Sequence, residues 1–337
     1  MRRILIVLVV SIGFMTVSGL WRAVSPAKGA MLQSRNTASA GTMKDRFVGT
    51  WKLISIDRRD IKGELLPRPV APAVGSADPI GFIIYDPAGY MAVTIMPSGR
   101  QKYAGTQPTP EEAAAAVAGY AAYHGTFSVN EAEGFVTHHV QGSLNPNTGS
   151  DQRRFFEMSG NRLTLRPPPS STGVQSRLTW ERVPDLAEPT PMHRRLIGFW
   201  KLVSNERRNA KGELVSSNPG QTGFIIYTAS GHMMVQMMQP VRKKYAAGQP
   251  TPEEARAALG TYTSYFGPYT IHEAERYLVH HRIGIINPDQ VGTDAQRFYE
   301  FSGRRLMLKP PPTTVDGQDV QATITWERLS ADPGRSQ

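Results

Sequence analysis

The chain has 337 residues, of which 20% are charged and none is cysteine, and its formal net charge is +10. Without cysteine it can form no disulfide, thiolate metal site, cysteine nucleophile or lipid-modified cysteine anchor. The surplus Lys and Arg are spread along the chain, as in Arg58-Arg59 and Arg207-Arg208, with no block of five or six. That pattern reads as a solvated basic surface and argues against a nucleic-acid partner.

At the N-terminus, Met1-Arg2-Arg3 precede an apolar run from Ile4 to Trp21, and Ser25-Pro26-Ala27 follow. A positive start, an apolar run and a small-residue exit predict an export signal over 1–27. The run is also near the shortest length that spans a bilayer, about 17 residues, so an uncleaved membrane anchor is the alternative. Either way the remainder is expected outside the cytoplasm, periplasmic or secreted. Residues 28–45 read as a flexible leader.

Beyond the leader one ordered set of motifs occurs twice. Gly49-Thr50-Trp51-Lys52-Leu53 returns as Gly198-Phe199-Trp200-Lys201-Leu202, and Gly81-Phe82-Ile83-Ile84-Tyr85 as Gly223-Phe224-Ile225-Ile226-Tyr227. Gln107–Ala113 reappears letter for letter as Gln249–Ala255. A period this long marks a duplicated domain, since solenoid units repeat every 20–50 residues or so. The expected domains are 46–183 and 195–329, with a Pro-rich linker over 184–194 and a disordered tail over 330–337.

Within each copy most segments read as short strands. Phe82–Tyr85 and Tyr90–Ile95 flank Asp86-Pro87-Ala88-Gly89, a hairpin turn with Pro and Gly at permitted positions. One helix starts at Thr109-Pro110-Glu111-Glu112, with a capping hydroxyl, a first-turn proline and acidic residues at the positive helix end. Its counterpart starts at Thr251. Strands follow over Gly134–Gly142, Arg153–Ser159, Arg162–Arg166 and Ser176–Arg182, with Pro167-Pro168-Pro169 interrupting the pairing before the last. Some eight antiparallel strands with one helix predict an all-β closed barrel per copy.

Gly-x-Trp-Lys-Leu on the first strand resembles the opening signature of the lipocalin and fatty-acid-binding superfamily, the calycins. The Gly-Phe-Ile-Ile-Tyr, Lys-Tyr-Ala, His-His, Arg-Phe-Phe/Tyr-Glu-x-Ser-Gly and Thr-Trp-Glu-Arg motifs resemble those of bacterial lipocalin-like domains, over nearly all of both copies. The resemblance implies two tandem lipocalin-like antiparallel β-barrels. It also implies that Trp51 and Trp200 plug the closed barrel ends, where Arg182 and Arg328 from the last strands would stack on the indoles.

Several polar residues kept in both copies are candidates for a pocket. Adjacent strand residues face opposite ways, so neither His138-His139 nor His280-His281 can chelate one ion. His139 shares a face with Phe135 and Thr137, and His281 with Tyr277, Val279 and Ile283, which places these two histidines inside. Arg154 and Glu157, like Arg297 and Glu300, are three apart and so face opposite ways. Periodicity does not say which is inside: an interior Arg would suit a carboxylate, an interior Glu acid–base chemistry. The tyrosines Tyr85, Tyr103, Tyr120 and Tyr123, with Tyr227, Tyr245, Tyr262 and Tyr265, combine apolar bulk with one hydrogen bond. The Met-rich stretch from His232 to Met238 fits adaptable packing better than copper(I), since its thioethers point to both faces.

No Gly-x-Ser-x-Gly elbow, His-Glu-x-x-His, phosphate loop or dinucleotide fingerprint occurs. The expected function is an exported binding protein for a small, mostly hydrophobic molecule, with no cofactor, no metal, no catalytic residue and no obligate protein partner. Expected ligand contacts are Tyr85, Tyr103, Tyr123, His139 and Arg154, with Tyr227, Tyr245, Tyr265, His281 and Arg297 in the second copy. The alternatives are a filled structural module of the envelope, and an isomerase or cyclase using His139 with Glu157. The differences His124/Phe266 and Phe156/Tyr299 predict two unequal pockets.

Overall fold

The computed structural model describes residues 41–149, 151–315 and 317–329. The predicted export signal, residues 28–40 of the leader and the C-terminal tail lie outside these residues.

The first barrel consists of β1 (Gly49–Arg59), β2 (Pro79–Tyr85), β3 (Tyr90–Pro97), β4 (Ala121–Asn130), β5 (Phe135–Ser143), β6 (Asp151–Ser159), β7 (Arg162–Arg166) and β8 (Gln175–Arg182). Each strand pairs antiparallel with the next, and β8 closes on β1. A short helix α1 (Met43–Phe47) precedes it, and α2 (Pro110–Ala118) lies between β3 and β4. Pro191–Leu196 forms α3 ahead of the second barrel.

The second barrel runs through β9 (Gly198–Asn209), β10 (Leu214–Ser217), β11 (Thr222–Tyr227), β12 (His232–Met238), α4 (Pro252–Gly260), β13 (Tyr262–His272), β14 (Tyr277–Arg282), β15 (Gly284–Ile285), β16 (Thr293–Ser302), β17 (Arg305–Lys309), β18 (Thr313–Val315) and β19 (Gln318–Arg328). Its wall is β9-β11-β12-β13-β14-β16-β17-β19, closed by β19 on β9, and β10, β15 and β18 are side pairings. Helices α1 and α3 begin in stretches that sequence alone reads as leader and linker. Each is started by a threonine whose hydroxyl accepts from the backbone, Thr42 and Thr190.

The closed ends repeat in detail. Trp51 Nε1 donates to the Phe47 carbonyl at 2.7 Å, and Trp200 Nε1 to the Leu196 carbonyl at 2.7 Å. The guanidinium carbons of Arg182 and Arg328 sit 4.2 and 4.1 Å from the Trp51 and Trp200 ring centres. Arg182 also donates to the carbonyls of Val48 and Arg46, so the helix before the barrel is tied to its last strand. This explains the glycine of Gly-x-Trp: a Cβ at Gly49 would lie 2.5 Å from Arg182 Nη1, and its φ of 132° suits only glycine.

The barrels pack back to back. The outward faces of β2, β3 and β4 meet those of β11, β12 and β13 in one apolar cluster that includes Phe82, Ala92, Met96, Phe224, Met234 and Phe266. Around this cluster the polar contacts are reciprocal. Arg100 donates to the carbonyls of Ile285 (2.8 Å) and Ile286 (2.9 Å), while the equivalent Arg242 donates to those of Ser143 and Leu144. The Tyr103 amide donates to Asp289 Oδ1 at 2.8 Å, and the Tyr245 amide to Asn147 Oδ1 at 2.8 Å. Each barrel thus gives the other the same elements, as subunits do about a two-fold axis.

Candidate functional site

Inside the first barrel, above Trp51 and toward the open end, lies a cavity of about 350 Å³. Its walls are mainly apolar, from Ile56, Ile83, Val93, Ile95, Leu165 and Leu178. Strand alternation puts these side chains there: β3 turns Met91, Val93 and Ile95 inward while Ala92, Thr94 and Met96 face the other barrel. Pro69 and Val74, from the segment between β1 and β2, close over the mouth. The Val74 amide donates to the Ala118 carbonyl at 3.2 Å, which ties that segment to the end of α2.

The polar lining is small. His138, only 1% exposed, stands between two phenols, with Tyr85 Oη 2.8 Å from its Nε2 and Tyr123 Oη 2.8 Å from its Nδ1. Burial, helped by the nearby Arg154 and His139, holds the imidazole pKa well below its ordinary range. The ring is therefore neutral near pH 7, with one N–H and one lone pair, so one tyrosine donates to it and the other accepts from it. Burial likewise pushes both phenols up. Arg154 projects inward from β6, donating to the Arg153 carbonyl at 2.8 Å and to Gln152 Oε1 at 3.3 Å. Trp180, 1% exposed, lines the same cavity, and its indole N–H has no acceptor.

The second barrel keeps this constellation. Tyr227 Oη lies 2.8 Å from His280 Nε2 and Tyr265 Oη 3.0 Å from His280 Nδ1, and His280 is fully buried. Burial and the charges of Arg297 and Arg282 hold His280 well below the ordinary histidine range. The indole N–H of Trp326 also lacks an acceptor. The surroundings differ. Tyr299 stands where the first barrel has Phe156, and the short strand β10 is the counterpart of Leu65–Arg68, so the Pro69–Val74 segment over the first cavity has no equivalent in the shorter second copy.

The structure brings Tyr85, Tyr123 and Arg154 together with His138, and Tyr227, Tyr265 and Arg297 around His280. It corrects four of the sequence-derived contacts. His139 and His281 face outward: His139 Nδ1 is 2.9 Å from Asp151 Oδ1 and His281 Nδ1 is 2.8 Å from Asp294 Oδ1, both partly exposed. The inward residues of β5 are Val136 and His138, and those of β14 are Leu278 and His280. The misleading cue is aromatic. Phe135 and Tyr277 look like core residues, but they pack on the outer surface against Phe155 and Phe298, ring centres 6.2 and 5.9 Å apart. Val136 and Leu278, apolar two residues before the buried histidine in both copies, are the signal that identifies the inward face.

Tyr103 and Tyr245 are the other two corrections. Their backbone amides bond across the seam between the barrels, and neither residue lines the cavity. Both copies keep them because the seam is reciprocal. Tyr120 and Tyr262 also belong to it, with Tyr120 Oη 3.2 Å from the Ser264 carbonyl and Tyr262 Oη donating to Gln236 Oε1 at 2.7 Å.

Glu157 also faces outward, bridging Arg166 (3.0 Å) and Arg177 (2.8 Å), so a His139–Glu157 acid–base pair inside the barrel does not exist. The side chain opposite Glu157 on β6 is the interior one, Arg154. Among the described residues no three His, Asp or Glu side chains converge to hold a metal ion. His232 lies in the seam, its ring centre 4.9 Å from that of Phe82, and Met234 Sδ accepts from Thr94 Oγ1 at 3.3 Å. No helix among the described residues is long and apolar enough to cross a membrane.

The family model described as lipocalin-like domain matches residues 48–183 and 197–329, and the chain belongs to that family. No curated protein matches the chain. Among solved structures, it is similar to a protein of unknown function from Nostoc punctiforme at 11% identity, covering 86% of this chain and all of that one, with a TM-score of 0.23. It is similar to transferrin binding protein B from Haemophilus parasuis at 6% identity, covering 83% of this chain and 76% of that one, with a TM-score of 0.21. At these TM-scores neither likeness bears on function.

Proposed function

We propose that this lipocalin-like chain is an exported binding protein and that its first barrel holds a small, mostly apolar molecule. One observation carries the reading: a cavity of about 350 Å³ inside the first barrel whose mainly apolar wall carries a small polar set, Tyr123, His138 and Arg154. Ligand pockets start at roughly 300 Å³ and combine apolar walls with a few placed polar groups. Export rests on the Met1-Arg2-Arg3 start and the apolar run to Trp21.

The test is to purify the protein from its exported fraction, extract it with organic solvent and analyse the extract by mass spectrometry. In parallel, thermal unfolding is followed with a library of apolar small molecules. A Val93→Trp variant, which fills the cavity, should lose both the extracted compound and the stabilisation. No extracted compound together with no stabilised melting point would overturn the reading.

A further inference from the structure

We infer that the side of the molecule on which both barrels open is a docking surface for a lipid bilayer with anionic head groups. Neither barrel needs to hold a ligand for this. Contacts across the seam join like ends. At the closed ends, Ser230 Oγ in the β11–β12 turn donates to Thr50 Oγ1 at 2.9 Å. At the open ends, Arg100 donates to the carbonyls of Ile285 and Ile286, and Arg242 to those of Ser143 and Leu144. The axis relating the barrels therefore runs along them, and both mouths face the same way.

Among the described residues, five large hydrophobic side chains are more than half exposed: Ile61 (85%), Leu65, Val70 (87%), Leu214 and Val241 (85%). All five stand on this side. Ile61, Leu65 and Val70 lie in the connection from β1 to β2, Leu214 opens β10, and Val241 lies between β12 and α4. The turn at Ile61 does not need an apolar residue. Asp60 Oδ1 accepts from the amides of Lys62 and Glu64, Gly63 takes a φ of 82°, and the second copy has Ala210 in place of Ile61. Val241 likewise stands where the first copy has Gly99. Single exposed hydrophobics are ordinary, but their gathering on one side of a molecule marks an interaction surface.

The same loops carry exposed lysines, Lys62, Lys102, Lys211, Lys243 and Lys244, whose ammonium groups have no partner among the described residues. Pro240–Tyr245 holds three cations and no carboxylate. The carboxylates on this side are mostly committed. Asp60, Glu112, Glu254 and Asp289 accept from backbone amides, and Asp78 and Glu206 pair with Arg68 and Arg208. A bilayer answers both features, since its interface takes the apolar tips and its anionic head groups take the ammonium groups. Tips that protrude from separate loops are the converse of a concave groove for a protein segment.

The test exploits the absence of cysteine. Val241→Cys, on the open side, and Glu131→Cys, in the β4–β5 turn on the closed side, each carry a polarity-sensitive thiol fluorophore in the full-length protein. With vesicles of equal parts phosphatidylglycerol and phosphatidylcholine, the label at 241 should shift to the blue and the label at 131 should not. Phosphatidylcholine alone, or about 0.5 M salt, should weaken the interaction at least about fivefold. Read by the label at 241, Lys243→Gln with Lys244→Gln should lower affinity for the anionic vesicles about tenfold or more. Ile61→Glu with Val70→Glu, at positions that pack against little, should do the same. No shift at position 241, equal shifts at both positions, or a shift indifferent to head-group charge would overturn the inference. Each of these outcomes leaves the cavity reading standing.

Discussion

His124 offers a sharp test of how the two barrels are joined. It is 2% exposed in the seam, with Nδ1 3.0 Å from Gln236 Oε1, and that oxygen can only accept, so Nδ1 carries the proton. Burial pushes its pKa from 6.5 down to about 4. The unfolded chain therefore binds a proton between about pH 6.5 and pH 4 that the native state refuses. The stability tied to this group is fully present above pH 6.5 and is lost as the pH falls toward 4. At about 1.36 kcal/mol per pKa unit, the full loss is about 3 kcal/mol. The equivalent position in the second barrel is Phe266, which makes His124→Phe a replacement the fold already accepts on the other side. The variant forfeits one hydrogen bond, but Gln236 Oε1 still accepts from Tyr262. Urea unfolding of both proteins at pH 8 and pH 4.5 isolates the effect, because His138 and His280 titrate alike in both. Relative to the native protein, His124→Phe should gain about 2–3 kcal/mol on acidification. A difference between the two proteins that does not change with pH would refute the assignment of a neutral, buried His124.

Three further outcomes follow from named contacts. Arg100→Ala and Arg242→Ala each remove a guanidinium from two carbonyls of the opposite barrel and should each cost about 2–4 kcal/mol; the double variant should split one calorimetric transition into two, and unchanged transitions would count against the seam as described. Gly125→Ala and Gly267→Ala would place a Cβ 1.9 and 1.8 Å from the carbonyl oxygens of His139 and His281, costing more than about 3 kcal/mol by denaturant midpoint, whereas Gly248→Ala, with nothing within 4 Å, should be near neutral. Arg182→Met removes the cation from the Trp51 face and the donors to the Val48 and Arg46 carbonyls, and should lower stability by about 2–3 kcal/mol in fluorescence-detected unfolding.

Much of the fold is legible because its signals are local. Thr109 and Glu112 form a reciprocal cap, with the Thr109 amide 2.8 Å from Glu112 Oε2, and both types of residue are visible in the sequence. Gly-x-Trp and the closing Arg announce each other across the barrel because their contact is a fixed stacking geometry. The site is less legible. Inward and outward faces of a strand are told apart by hydrophobicity, and β5 has an aromatic residue on the outside, covered by Phe155 and by Arg153 at 4.2 Å from the Phe135 ring. One residue of phase then exchanges His138 for His139. Tyr103 is hidden for another reason. Its role depends on a surface 186 residues away in sequence, and no local pattern distinguishes a tyrosine at a seam from one in a pocket.

The seam also accounts for where the two copies diverge. In a two-fold pair of identical subunits, residue i meets j and j meets i, so any polar group near the axis must satisfy a copy of itself. Covalent linkage removes that restriction. Thr94 in the first barrel and Gln236 at the equivalent position in the second stand together near the axis. Gln236 donates to the Val93 carbonyl at 3.0 Å and to Thr94 Oγ1 at 3.1 Å, and its oxygen accepts from Tyr262 and lies against His124 Nδ1. All of its hydrogen-bonding capacity is used in a site with almost no solvent. Two glutamines or two threonines there would leave donors or acceptors unmatched, at about 1–3 kcal/mol each. His124 opposite Phe266 follows the same logic, since one histidine suffices to serve the single Gln236 oxygen. The strands that carry this network, β3 and β12, turn their other faces into the two barrel interiors, with Val93 and Ile95 on one side and Met233, Val235 and Met237 on the other. The inequality of the two barrels thus begins in their common wall, where asymmetry satisfies buried polar groups, and continues into interiors built on the opposite faces of the same two strands.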